Sequence, residues 1–134
     1  MKQRLDEYSN RLSILITKAK QFGCTPIIVS QPSFYYRINN ENKLLGADSM
    51  VCEYEGVPIN GVDFYYMIRK LYTITQTICK KNNCCFIDLA DRKGWQSGDF
   101  YDFVHMTPAG AKKLGNYLFE SISPIVLDQL KKQG

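Results

Sequence analysis

The chain has 134 residues, 45% hydrophobic and 22% charged, with a net charge of +4, the size and composition of a single globular domain rather than of a disordered or fibrous chain. Mean hydropathy is −0.27, no apolar run approaches the ~20 residues of a bilayer-spanning helix, and the charged start MKQRLDEYSN has no apolar secretory stretch, so a cytoplasmic protein without a membrane span is expected. The basic residues are scattered, as at Lys18 and Lys20 or Lys112 and Lys113, without the clustered stripe of a nucleic-acid binder, and no nucleic-acid partner is expected.

Leu5, Tyr8, Leu12, Leu15, Ile16 and Ala19 recur at three- and four-residue steps, which predicts an amphipathic helix stopped by Gly23. The apolar run from Pro26 to Pro32 predicts a strand buried on both faces, as in a parallel sheet. Residues 33–62 have little period and many Asn, Ser, Gly and Pro, and are expected to form a long loop acting as a lid or binding flap. A second helix is expected from Asp63 as its N-cap, with Phe64, Met67, Ile68, Leu71, Thr75 and Ile78 on one face, fading at Lys81-Asn82-Asn83. A second doubly buried strand is expected over 84–89, then a loop from Ala90 to Met106. Thr107-Pro108 supplies an N-cap and a first-turn proline for a third helix along Ala111, Leu114, Leu118 and Ile122, which Pro124 is expected to break.

This alternation is that of an open α/β fold. Two doubly buried strands do not make a stable sheet alone, so further strands are expected within 33–62, from a partner chain or second copy, or from a larger domain. The five cysteines, Cys24, Cys52, Cys79, Cys84 and Cys85, are odd in number and form no C-x-x-C pair. With one histidine in the chain, reduced and mostly buried thiols are expected rather than a metal site.

That histidine, His105, follows Asp102 by three residues just before the third helix. A carboxylate so placed can turn back to accept the imidazole Nδ1–H, leaving Nε2 as a general base. The spacing also fits a plain helix-entry loop in which aspartate caps backbone amides.

The stretch Phe100-Tyr101-Asp102-Phe103-Val104-His105-Met106-Thr107-Pro108-Ala109-Gly110-Ala111 resembles the D-x-x-H block of the SGNH (GDSL-type) esterases and lipases. The 84–89 strand ending in Asp88-Leu89, and Thr25 to Pro32, resemble the strands of that family that lead to the active-site rim. The resemblance covers about residues 1–125 and matches the family's C-terminal half only. Its G-D-S, oxyanion-glycine and G-x-N-D blocks have no counterpart here. It implies a three-layer α/β/α, flavodoxin-like domain, here partial and with few parallel strands. It further implies hydrolysis of acyl or acetyl esters of lipid, carbohydrate or small-molecule alcohols without a cofactor or metal, with His105 as base and Asp102 as its orienting carboxylate. Ser30, Gln31 and Tyr101 would then lie beside substrate. Gly46-Ala47-Asp48-Ser49-Met50 looks like G-D-S with one insertion, which makes Ser49 a weak nucleophile candidate, because polar residues precede it where a buried strand is needed. The other function class is a non-catalytic half-domain that oligomerises through its strand edges.

Overall fold

A computed structural model describes residues 2–47 and 52–132, and over them the chain is a mixed structure of helices and short strands. The elements run α1 (Lys2–Gln21), β1 (Ile27–Val29), β2 (Tyr36–Ile38), β3 (Leu44–Gly46), β4 (Cys52–Tyr54), β5 (Val57–Ile59), α2 (Gly61–Lys81), β6 (Cys85–Ile87), a 3-10 turn (Ser97–Asp99) and α3 (Pro108–Lys131).

α1 ends as its glycine demands. Gly23 takes φ +78°, its N–H bonds Lys20 O at 2.9 Å and Cys24 N–H bonds Ala19 O at 3.1 Å, the paired closure of a Schellman motif. α1 packs on α2 around buried Leu12, Ile16, Ile78 and Cys79, and Ile28 and Phe86 of the sheet add to that core. Tyr8 Oη and Thr75 Oγ1, 2.7 Å apart, tie the helices across this interface.

β1 and β6 pair in parallel with Ile27 opposite Cys85 and Val29 opposite Ile87. The expected burial on both faces is not found for β1, since Val29 is 38% exposed. Among the described residues the sheet has two strands, and exposed Val29 shows its face away from the α1–α2 core incompletely covered.

The stretch expected as a long loop is instead two β-hairpins, β2 with β3 and β4 with β5. Glu55 and Gly56, at φ +51° and +81°, form the two-residue turn between Tyr54 and Val57, a geometry whose twist matches the strands. In the first hairpin Asn39 Oδ1 accepts the N–H groups of Glu41 and Lys43 at 3.0 and 2.8 Å. Strands of three residues are too short for period-two alternation to declare them.

Two helix boundaries also differ from expectation. The N-cap of α2 is Asn60, not Asp63: Asn60 Oδ1 accepts the N–H groups of Val62 and Asp63 at 2.8 and 3.1 Å, and Asp63 Oδ2 accepts Asn60 N–H at 3.1 Å, a reciprocal capping box. Pro124 lies inside α3 without ending it. It is exposed, so the Glu120 carbonyl that loses its N–H partner there lies towards solvent; in the turn before it the Ser121 and Ser123 hydroxyls donate to Tyr117 O and Phe119 O at 2.8 and 2.6 Å. Of the four cysteines whose side chains are described, Cys24 is exposed, Cys79 buried and Cys84 and Cys85 half-buried, all free thiols, so the expectation of mostly buried cysteines holds for Cys79 alone.

Candidate functional site

The loop between the 3-10 turn and α3 is built as a small closed hairpin. Phe100 and Met106 form an antiparallel bridge, Tyr101 N–H donates to His105 O at 2.8 Å, and Asp102 Oδ1 accepts the N–H groups of Val104 and His105 at 3.0 and 2.9 Å. Asp102 Oδ2 is left for the imidazole, and His105 Nδ1 lies 2.7 Å from it. Because an ionised carboxylate only accepts, Nδ1 carries the proton and Nε2 presents its lone pair. The Val104 and His105 backbone bonds, then the imidazole, hold the Asp102 carboxyl down at about 2.

The loop is anchored at both ends. Phe103 O accepts Phe34 N–H at 3.1 Å and Ser33 Oγ–H at 3.2 Å, and the Phe103 ring stacks on Tyr35 at 4.5 Å. Thr107 caps α3 by accepting Gly110 N–H at 3.2 Å, while its own hydroxyl donates to Gly98 O at 3.0 Å. Gly110 leaves no room for a side chain, since an added Cβ would sit 2.0 Å from Asp99 O. Asp99 is itself buried and held by Lys113 Nζ at 2.5 Å.

The structure brings Asp102 and His105 together, and it places Gln31 and Tyr101 beside their loop and Ser30 at the strand ends. Ser30 is 2% exposed; its hydroxyl donates to Asp88 Oδ1 at 2.6 Å and accepts Ala90 N–H at 2.9 Å, so it braces the ends of β1 and β6. Gln31 is exposed and reaches the loop through Nε2, 3.4 Å from Val104 O, while Tyr72 Oη–H donates to its carbonyl at 3.0 Å. Tyr101 is exposed beside the pair. Ser49 lies outside the described residues.

No protein-family model, curated protein or solved structure matches this chain.

Beyond the carboxyl ends of β1 and β6 lies a polar cluster that sequence patterning missed. Arg69 on α2 bonds Asp88 at 2.5 Å and lies 3.2 Å from Asp91. Tyr36, 4% exposed, has a hydroxyl with no hydrogen-bond partner among the described residues, as does Asp91 Oδ1. Burial first, then the neighbouring Tyr72, Asp91 and Asp88, pushes the Tyr36 phenol well above its usual range, so it stays protonated. Asp88 and Asp91 three residues apart after a strand were the available signal; Arg69, on a helix face remote in sequence, carried none.

His105 Nε2 has no hydrogen-bond partner among the described residues, and the His105 and Asp102 side chains are 76% and 48% exposed. The approach to His105 Nε2 is therefore open. Among the described residues no helix is long and apolar enough to cross a membrane.

Proposed function

We propose that this chain supplies the acid–base pair of an SGNH-type serine esterase acting on acyl or acetyl esters of lipid, carbohydrate or small-molecule alcohols. The supporting observation is the 2.7 Å bond from His105 Nδ1 to a carboxylate already fixed by two backbone N–H groups. Such a carboxylate orients the ring, fixes its tautomer and stabilises the imidazolium that forms when Nε2 takes a proton. In the reaction, Nε2 removes the proton of a serine hydroxyl as its oxygen attacks the ester carbonyl, then returns that proton to the departing alcohol. Water deprotonated by the same Nε2 next splits the acyl-enzyme and releases the acid.

The Ser30 and Ser33 hydroxyls are engaged elsewhere, so the nucleophile is Ser49 or a serine of another segment or partner chain that covers the open face. On this reading β1 and β6 belong to a flavodoxin-like three-layer sheet completed by those strands, in a cytoplasmic enzyme.

The test is hydrolysis of p-nitrophenyl acetate and butyrate by the full chain, with His105→Ala and Ser49→Ala beside it. Turnover lost in both variants assigns Ser49 as nucleophile; turnover lost in His105→Ala alone assigns a serine elsewhere. Turnover that is flat with pH and indifferent to His105→Ala overturns the proposal. A second reading, a non-catalytic module that oligomerises through its sheet edges, is favoured by exposed Val29 on a two-stranded parallel sheet. It predicts assemblies and no turnover at any pH.

A further inference from the structure

Away from Asp102 and His105, two cavities of about 300 and 380 Å³ adjoin between the β2–β3 hairpin and residues 94–100, sharing Arg37, Trp95, Gln96 and Ser97 in their walls. Neither member of the acid–base pair lines them. The floor is rigid. Trp95 is 5% exposed, its Nε1–H donates to Leu89 O at 2.8 Å, and its ring contacts those of Phe100 and Tyr117 at 5.9 and 5.3 Å.

The walls are polar and electropositive. Arg37 is exposed on β2, and its side chain has no hydrogen-bond or ion-pair partner among the described residues. The Ser97 hydroxyl and the Asn40 amide, in the same trench, are also without partners among the described residues. No carboxylate side chain is among the described lining residues. The one acid of the 94–100 loop, Asp99, is buried and already answered by Lys113 Nζ at 2.5 Å, so among the described residues no carboxylate answers the Arg37 charge in the trench.

We propose that this trench binds an anionic sugar. A planar guanidinium accepts a carboxylate or phosphate in a two-bond fork, and sugar hydroxyls need the amide and hydroxyl partners that Asn40 and Ser97 offer. Volumes of this order fit a small ligand held by a few placed polar groups, not an extended polymer. The site stands apart from ester hydrolysis and does not depend on His105 acting as a base.

Trp95 is the single tryptophan of the chain, so its emission reports on the trench directly and needs no turnover. The full chain is titrated with glucuronate, glucose 6-phosphate, glucose and inorganic phosphate. A saturable change with one of the sugar anions, absent with glucose and weaker with inorganic phosphate, is expected, and the preferred anion identifies the group on Arg37. Arg37→Ala, at an exposed position where circular dichroism confirms folding, weakens binding about tenfold or more, and Arg37→Lys restores part of it. An equal response to glucose, an equal response to inorganic phosphate, unchanged affinity in Arg37→Ala, or no saturable response to either sugar anion overturns the proposal.

Discussion

At Asp102 the two carboxylate oxygens have separate tasks, one folding the loop through backbone N–H groups and the other holding the imidazole. Asp102→Asn keeps the shape but offers an amide where Nδ1–H needs an acceptor, so under the proposed esterase function it should lower turnover by about 10²- to 10⁴-fold with little change in fold. Because its carboxyl is held down at about 2, below the ordinary aspartate value, its contribution to loop order is present above about pH 4 and lost as pH falls towards 2. The Val104 and His105 amide proton shifts should therefore titrate with a midpoint near 2, and a midpoint near the unperturbed value would refute the loop geometry. Ser30→Ala should leave the acid–base pair intact but cost about 1–3 kcal/mol in denaturant unfolding, since Asp88 loses a donor and Ala90 N–H an acceptor inside the protein. Cys79, its thiol pushed up to about 12 by burial and then by Cys84, should resist iodoacetamide under conditions where exposed Cys24 is modified; peptide mapping by mass reads both. The Asp102–His105 pair was legible because both partners lie within one turn of chain. The Arg69–Asp88–Asp91 cluster and the Ser30 brace were not, because their members meet only through the folded sheet.

The elements divide in the same way. Long helices with three- and four-residue apolar steps announce themselves, and the start of α3 at Thr107-Pro108 was fixed by capping chemistry. The hairpins of 36–59 were hidden, although Glu55-Gly56 between two short apolar-flanked runs carried a weak turn signal. Pro124 misled because a proline at an exposed helix position removes one hydrogen bond without ending the helix. Where elements meet, glycine is decisive. Gly110→Ala would drive a Cβ to 2.0 Å from Asp99 O, whereas Gly98→Ala meets nothing within 4 Å. Thermal unfolding should show a drop for Gly110→Ala well beyond that for Gly98→Ala, which is expected to stay within about 0.5 kcal/mol of wild type. The same Gly110 change should also displace the loop that carries His105, because Asp99 O receives Thr107 N–H at 3.0 Å on the other side of that contact.

For the molecule as a whole, apolar surface is left in the open. Leu15, Phe22, Val29, Phe119, Leu127 and Leu130 are all exposed, and among the described residues the parallel sheet has two strands. If a second copy covers this surface, light scattering should give a mass above the 15.4 kDa of one chain, and Val29→Lys combined with Phe119→Lys should return it to that value. A monomer at all concentrations would count against self-association and leave a different chain as the source of the covering strands. The parallel partners β1 and β6 also stand far apart along the chain, as do the side chains bonded at their ends, Ser30 and Asp88, at a separation of 58 residues. During synthesis at about 5–20 residues per second, β1 therefore waits roughly 3 to 12 s for β6, with α1 already emerged and its apolar stripe uncovered. That uncovered stripe should recruit chaperones to the nascent chain, so expression at lowered temperature, or with a holdase in excess, should raise the soluble yield more than any change at Asp102 or His105.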